Sequence, residues 1–344
     1  MLGMSGGVDS SAAALLLKRQ GYDVCGVTML LSPQSSEESQ DVADARYVCE
    51  HLGIEHRILN LRQQFYSCVI EEFAEQYKIG NTPNPCITCN RNIKFGAMLD
   101  YALENGYDYI ATGHYAKIIK NEADGKYQIF RANKNKDQSY VLWMLTQRVL
   151  SHVLFPIGGY EKEELRELAQ EAGLPTSGKK DSQDICFVPD GNYKKFLYDN
   201  FSGFSQPGNF VDSNGNILGM HKGIENYTVG QRKGLGISLS QPMYVVAFDN
   251  GNVILGPEGS QYSSKIQCSD INIIDGNIKD GSFRAKVKPR YAAAAADAMI
   301  TINSNEAVII FDEPQRALTP GQSAVFYDED RLIGGAIINR VIRN

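Results

Sequence analysis

The sequence predicts an open α/β domain with a parallel sheet, then a small β-rich central domain, then a C-terminal β-barrel. Three observations support this fold class. In 1–195, apolar segments with helical spacing alternate with short apolar runs, as in strands joined by helical crossovers. In 196–260, hairpin signals replace that pattern. In 261–344, short strands follow one another with turn residues between them, so we expect three domains with these boundaries.

Helices and strands alternate along the first domain. Apolar residues three or four positions apart predict helices at 10–19, 42–52, 65–77 and 93–104. Apolar runs between them predict buried strands at 22–31, 54–61 and 107–115. Strands separated in this way form right-handed crossovers and a parallel sheet covered on both faces. Only three residues precede the first loop, so we expect a stub as the first strand unless the true start lies upstream.

The remaining chain carries β signals only. "NFVDSNGNILGM" and "MYVVAFDNGNVILG" place Asn-Gly between apolar runs, which predicts two hairpins. Five later segments predict the strands of a small closed barrel: "IQCSDINII", "FRAKVKPRY", "DAMITI", "EAVIIFD" and "SAVFYDEDRLIGGAII". The run "AAAAA" at 292–296 lies between two of these strands.

Composition limits the classes of function. The chain is 43% apolar and 22% charged, has no apolar run of membrane-spanning length and does not begin like a signal peptide, so no membrane partner is expected. Seven scattered cysteines are too few for a disulfide scaffold, which favours a reducing cytoplasm. A net charge of −6 argues against nonspecific nucleic-acid binding. A nucleic acid that binds several small basic patches is still compatible with this net charge. The candidate basic residues are Lys179-Lys180, Lys194-Lys195, Arg232-Lys233, Arg284, Lys286, Lys288 and Arg290.

"SGGVDS", residues 5–10, immediately precedes the first predicted helix. Its two glycines allow a tight turn and a close approach of the backbone to a ligand. The N–H groups and the dipole of the following helix favour an anion in such a loop. The lysine of the kinase and GTPase loop is absent, so the sequence predicts phosphate binding without γ-phosphoryl transfer.

Seven motifs make the chain resemble the tRNA-specific 2-thiouridylases, and the resemblance covers nearly the whole chain. They are "GMSGGVDSS", "TPNPCITCNRNIKF", "ATGHYAKI", "KNKDQSYVLWML", "KKDSQDICFVP", "YTVGQRKGLGI" and "LTPGQSAVFY". The resemblance implies a Rossmann-like pyrophosphatase-loop fold that uses ATP and Mg²⁺ and acts on tRNA. It also implies that the C2 oxygen of the wobble uridine is adenylated and replaced by persulfide sulfur. A cysteine desulfurase or a relay protein would supply that sulfur.

The resemblance also assigns roles to residues of this chain. The persulfide corresponds to Cys186 and its partner nucleophile to Cys89. Positions that correspond to ATP contacts are Gly3, Met4, Ser5, Gly6, Gly7, Val8, Asp9, Ser10, Met29 and Gly113. Positions that correspond to contacts with the target base or the tRNA are Asn84, Pro85, Cys86, Lys136, Asp137, Gln138, Arg290 and Tyr291.

The pair of cysteines in "NTPNPCITCN" has three candidate uses: metal binding, a disulfide, or thiol chemistry. Thiolation needs one cysteine to carry sulfur and a second thiol to take the remaining bond, which favours Cys89 with Cys186. As an alternative, Cys86, Cys89 and Cys186 could together hold a [4Fe-4S] cluster with one open iron. Zinc is less favoured because no fourth ligand is evident. Many family members carry aspartate where this chain has Cys86.

Two other functions share some of these features. A pyrophosphatase-loop ligase or amidotransferase that adenylates a small carboxylate or ureido group would use the loop but neither cysteine. A tRNA-binding or metal-binding module that has lost catalysis is the other alternative. His114 either lines the nucleotide pocket or is a structural histidine. We expect no role for Cys25, Cys49, Cys68 and Cys268, and little contact with tRNA from the alanine run.

Overall fold

The computed structural model describes residues 1–132, 136–175, 185–188, 190–278 and 280–343. The first domain contains five mutually parallel strands, and strand labels run in order through the whole chain. The five strands are Leu2–Gly3 (β1), Cys25–Leu30 (β2), Glu55–Asn60 (β3), Ile110–Ala111 (β4) and Val153–Leu154 (β7). Their order in the sheet is β3-β2-β1-β4-β7. The predicted open parallel sheet is confirmed, and β1 is a stub of two residues.

Helices cover both faces of this sheet. They are Val8–Arg19 (α1), Gln40–Leu52 (α2), Arg62–Phe65 (α3), Glu72–Lys78 (α4), Pro85–Cys89 (α5), Met98–Glu104 (α6), Gln147–Leu150 (α7), Lys162–Glu171 (α8) and Tyr193–Asn200 (α9). π-Helical turns, Tyr66–Glu71 and Asn90–Ala97, join α3 to α4 and α5 to α6. Buried side chains of α1, α2 and α8 form one core cluster, and those of α6 pack with β2 and β4 in another.

The helix that carries the cysteine pair begins earlier than the apolar spacing predicts. The sequence places its start at residue 93, whereas α5 begins at Pro85. The side chain of Asn84 accepts a hydrogen bond from the Cys86 N–H at 3.1 Å, and proline at the first helical position is already restricted to a helical φ. Both cysteines therefore lie in a helix and not in a turn.

A hairpin that the sequence analysis missed joins the first domain to the barrel. Its strands are Ala116–Lys120 (β5) and Tyr127–Arg131 (β6). β6 pairs with the last strand of the barrel, with Phe130 opposite Arg331. The predicted strand at 107–115 is reduced to β4, and the chain then turns into this hairpin.

The central domain contains both predicted hairpins. The first pairs Gly208–Val211 (β8) with Ile217–His221 (β9), and the second pairs Met243–Asp249 (β10) with Asn252–Pro257 (β11). A parallel pairing between β11 and β8 unites them in one four-stranded sheet.

The C-terminal domain is a closed six-stranded barrel, as the sequence predicts. Its strands are Tyr262–Ile273 (β12), Gly281–Lys288 (β13), Ala296–Asn303 (β14), Glu306–Arg316 (β15), Ser323–Asp328 (β16) and Arg331–Ile342 (β17). Antiparallel pairing of β12 with both β15 and β17 closes the barrel. Apolar side chains that alternate along the strands, including Ile266, Ile300 and Phe326, fill its interior. Among the described residues, no helix is long and apolar enough to cross a membrane.

Candidate active site

A cavity of about 1130 Å³ opens at the carboxyl edge of the parallel sheet, where open α/β folds bind their ligands. The β1–α1 loop, the end of β2 and the segment after β4 form its walls. Every residue assigned to ATP by resemblance lines this cavity: Gly3, Met4, Ser5, Gly6, Gly7, Val8, Asp9, Ser10, Met29 and Gly113. Lys136, Gln138, Cys186 and Tyr291 line it as well.

The loop before α1 has a backbone shape that only glycine allows. Gly6 has a φ of +68°, and a Cβ there would lie 2.5 Å from the carbonyl oxygen of Asp41. The Ser10 hydroxyl accepts from the Ser5 N–H at 3.2 Å and donates to the Gly7 carbonyl at 3.1 Å. On the opposite wall, a Cβ on Gly113 would lie 3.1 Å from the Cβ of Asp9. The loop is thus a preformed cradle at the start of a helix, which suits a polyphosphate.

Asp9 is held by two residues that the sequence analysis missed. Tyr115 Oη donates to Asp9 Oδ1 at 2.6 Å, and Lys162 Nζ lies 2.7 Å from the same oxygen. Lys162 is only 4% exposed, and it lines the cavity together with Tyr115. It is the first residue of α8, where the helix dipole disfavours a cation. In the sequence, this unfavourable position was the feature that could have indicated an anionic partner for Lys162 elsewhere in the fold.

His114 lies on the cavity wall and is also fixed within the fold. Its Nδ1 lies 2.7 Å from Thr112 Oγ1, and its ring packs against the rings of Phe95 and Phe155. Burial, with a smaller contribution from the charge of Lys94, holds the pKa of His114 well below its usual range. Both alternatives for this residue therefore apply: it lines the pocket, and it is a neutral structural histidine.

The three candidate cysteines lie near one another and near Lys94. Cys89 is buried, whereas Cys86 and Cys186 are exposed. Burial raises the pKa of Cys89 to about 12; the charge of Lys94 opposes this shift, and Cys186 and Cys86 add to it. The protein atoms around Cys86 and Cys186 also raise the pKa of each thiol by partial desolvation, although both residues keep contact with solvent. Cys89 packs in one core cluster with Phe187 and Val188, the two residues that follow Cys186, so the fold brings together cysteines about a hundred positions apart in sequence.

The thiols do not form a metal centre in this arrangement. All seven cysteines are free. Within the described ranges, no three His, Cys, Asp or Glu side chains converge closely enough to hold a metal ion, and Cys86, Cys89 and Cys186 all fall within those ranges. The residues therefore do not fit the iron–sulfur alternative.

The positions assigned to tRNA differ in what their side chains can offer. Lys136 and Tyr291 face the cavity, and Tyr291 comes from the barrel. The Asp137 carboxylate accepts hydrogen bonds from the Ser139 N–H at 3.0 Å and the Ser139 hydroxyl at 2.9 Å, so it is already engaged within the protein. Gln138 accepts from the Tyr115 N–H at 3.0 Å.

The other assigned positions lie outside the cavity lining. Asn84 caps α5, Pro85 is buried within it, and Arg290 is half-buried at the end of β13. Among the basic clusters, Lys195, Arg284 and Lys286 pair with Asp199, Asp312 and Asp297, while Arg232 and Lys233 are exposed. Lys179-Lys180 lies outside the described residues.

A glycine cradle at the carboxyl edge of a parallel sheet, beside a cluster of thiols, defines the class of nucleotide-binding α/β enzymes. Family models agree with this class and with the two β domains. The tRNA methyl transferase HUP domain matches residues 1–190, the tRNA methyl transferase PRC-barrel domain 194–256, and the aminomethyltransferase β-barrel domain 263–338.

Whole-chain relatives identify the family. The chain is 48% identical to tRNA-specific 2-thiouridylase MnmA of Acetivibrio thermocellus, with 98% of each chain covered. It is 46% identical to the protein of that name from Halothermothrix orenii, again with 98% of each chain covered. The Clostridium perfringens protein is 45% identical, covering 99% of this chain and 98% of its own. The chain belongs to the tRNA-specific 2-thiouridylase family, as the motifs indicated.

Proposed function

We propose that the chain is an ATP-dependent tRNA 2-thiouridylase that replaces the C2 oxygen of the wobble uridine with sulfur from a persulfide on Cys186. One observation carries this proposal: Cys186 and the glycine cradle line the same cavity. An enzyme that activates a base with ATP and then attacks it with sulfur needs both groups within reach of one atom.

Activation is the first step. The C2 oxygen of the uridine attacks the α-phosphorus of ATP, and pyrophosphate leaves with the electron pair of the broken P–O bond. The loop N–H groups and the cation of Lys162 are placed to stabilise charge on the phosphates. Mg²⁺ would enter with ATP. Asp9 is suited to hold this Mg²⁺. Tyr115 and Lys162 fix its Oδ1, and its side chain remains 33% exposed in the cavity.

Sulfur transfer follows. The terminal sulfur of the Cys186 persulfide attacks C2, and AMP leaves with the original oxygen. Cys89 then attacks the Cys186 sulfur. This step forms a disulfide between Cys89 and Cys186, in which Cys86 takes no part, and releases 2-thiouridine. A two-electron thiol reductant must reduce that disulfide before the next turnover. Cys89 has to lose its proton first; burial disfavours this loss, and the nearby charge of Lys94 opposes the effect of burial.

The competing functions explain less of the site. A ligase or amidotransferase for a small carboxylate or ureido group has no use for the cysteines beside the cavity. A binding module has no use for an intact phosphate cradle. We infer a cytoplasmic location because tRNA and reduced thiols occur there, and a cysteine desulfurase or a relay protein as the sulfur donor.

The test combines the protein, ATP, Mg²⁺, an unmodified tRNA with a wobble uridine, and a cysteine desulfurase with cysteine. We expect 2-thiouridine in the digested tRNA by mass spectrometry, with AMP and pyrophosphate formed alongside. A tRNA with cytidine at the wobble position and a reaction without ATP are the matched controls. AMP formed with small carboxylates but not with tRNA would support the ligase, and tRNA binding without AMP would support the binding module.

A further inference from the structure

A loop of the C-terminal barrel holds the segment that leads into the cysteine helix. The Thr82 N–H donates to the Pro320 carbonyl at 2.9 Å, and Gln322 Nε2 donates to the Thr82 carbonyl at 2.6 Å. Both backbone polar groups of Thr82 are therefore bonded to the barrel. No side chain of the first domain is required for either bond.

Gly321 brings the two backbones close together between these hydrogen bonds. Its φ is +87°, and a Cβ there would lie 2.9 Å from the Cβ of Asn81 and 3.0 Å from the nitrogen of Thr82. Any larger residue would have to push the segment away. The contact thus requires glycine for two independent reasons, backbone conformation and space.

The barrel loop is itself well anchored. The Gly321 N–H donates to the Ile338 carbonyl at 2.8 Å, and the Ile338 N–H donates to the Gln322 carbonyl at 2.8 Å, which ties the loop to β17. On its other side, Arg316 donates to the Gly230 carbonyl of the central domain at 3.2 Å. The loop therefore lies where all three domains meet, and it can transmit the position of the barrel to the first domain.

Thr82 is only two residues from the cap of the cysteine helix. Asn84 caps α5 through the Cys86 N–H, and Cys89 ends the same helix. A shift of Thr82 would move the helix start, and with it both thiols relative to Cys186. Among the residues that the structure describes, the phosphate cradle forms no hydrogen bond to this barrel loop, so it should not move with it.

We propose that Gln322 and Gly321 are positioning residues for sulfur transfer: the barrel, through this loop, sets where Cys89 stands relative to Cys186. This inference rests on the proposed function. It predicts that damage to the loop separates the two half-reactions. Adenylation and attack by the Cys186 persulfide continue and release AMP, but Cys89 resolves the disulfide between Cys186 and the tRNA slowly, so this covalent adduct accumulates.

The first test variant is Gln322→Met, which keeps the side-chain length and removes the donor to Thr82. Its control is Gln315→Met, because the Gln315 amide bonds only within the barrel, to the Glu313 carbonyl at 2.8 Å. Loss of one hydrogen bond predicts a fall of about five- to tenfold in kcat for thiolation. We expect AMP release in the first turnover to keep its wild-type rate, and the adduct of tRNA with Cys186, detected on non-reducing gels, to decay more slowly by the same factor.

The second variant is Gly321→Ala, with Gly276→Ala as its control. Both glycines belong to the barrel and have positive φ, but a Cβ on Gly276 meets nothing within 4 Å. The two substitutions therefore share backbone strain and differ in the contact with Asn81 and Thr82. We expect a larger loss of thiolation in Gly321→Ala than in Gly276→Ala, again with AMP release in the first turnover retained.

The outcomes separate the two proposals. If the wild-type protein makes no 2-thiouridine, the proposed function fails. If the wild type is active and both loop variants match their controls, the positioning role is wrong and the proposed function stands. If AMP release in the first turnover falls in parallel with thiolation, the loop supports the whole fold and does not position the thiols, which also overturns the inference.

Discussion

Asp9 joins the phosphate cradle to a helix that begins 153 residues later in the chain. Asp9→Ala leaves Lys162 buried without this counter-ion and removes the acceptor of Tyr115. We expect pyrophosphate release to fall at least about 100-fold, since charge stabilisation at the phosphates is lost. Ser10→Ala should also abolish it, because the Ser10 hydroxyl bridges Ser5 and Gly7.

A coupled assay for pyrophosphate measures this prediction. Asp23→Ala serves as the control, because Asp23 is exposed and lies outside the cavity lining. Wild-type turnover in either loop variant would show that the cradle is not the ATP site.

Serine substitutions should distinguish the roles of the three candidate cysteines in thiolation. Cys89→Ser and Cys186→Ser should lose thiolation completely, both under air and after anaerobic iron reconstitution, because each removes one of the two sulfur atoms in the transfer. Cys86→Ser should keep part of the activity. Equal loss in all three variants, with wild-type activity that needs iron and the exclusion of oxygen, would favour the cluster. Wild-type activity in Cys89→Ser would exclude its catalytic role.

The buried position of Cys89 predicts a pH profile. Its pKa is raised to about 12, so the reactive thiolate is scarce at pH 7 and should increase about tenfold per pH unit up to that pKa. Alkylation of Cys89 by iodoacetamide, followed by peptide mass spectrometry, should therefore keep rising above pH 9. Free cysteine, with an ordinary pKa of about 8.5, is the control and should level off there. A plateau near pH 8.5 for Cys89 would contradict the burial argument.

At the scale of elements, the sequence predicted the strands of the sheet as far as β4, the two hairpins of the central domain and the barrel, but not β7. Apolar spacing failed where local hydrogen bonds determine the secondary structure. The cysteine helix starts at Pro85 because Asn84 caps it, although the preceding residues carry no helical apolar pattern. The hairpin from Ala116 to Arg131 is half polar, so its strands resemble loops in sequence.

The candidate site was predictable only in its contiguous parts. The cradle is a single motif, and resemblance to a family indicated the cysteines. Lys162 and the loop around Gly321 act through contacts between residues more than 150 positions apart, and no local pattern encodes such contacts. Only the fold brings them together.

The alanine run connects β13 to β14 and offers no polar side chain. Ala296 already belongs to β14, where it pairs with Val287, so only 292–295 is connecting segment. Replacing 292–295 by Gly-Ser-Gly-Ser should leave the affinity for tRNA within about twofold, because methyl groups cannot contact phosphate. Filter binding measures this at constant salt. A loss of more than tenfold would show that the shape of this segment matters to the complex.

For the whole molecule, net charge is a poor guide to the partner. The total is −6, yet several cations are paired within the protein and contribute little to an outside field. What a tRNA would encounter is the arrangement of cations near the cavity and on the central domain. The exposed pair Arg232 and Lys233 is one such patch.

Binding of tRNA should therefore weaken steeply with salt despite the acidic total. The contributing cations are predicted to be Lys136, Lys179, Lys180, Arg232, Lys233 and Arg290. Neutralising about six phosphates predicts a slope of roughly −4 to −5 in log affinity against log salt, or a loss of about 10²- to 10³-fold between 50 and 200 mM. The double variant Arg232→Gln with Lys233→Gln should reduce that slope by about 1 to 2. Arg284→Gln, whose side chain pairs with Asp312, is the control and should leave the slope unchanged. A flat affinity over this range of salt would mean that the basic patches do not hold the tRNA.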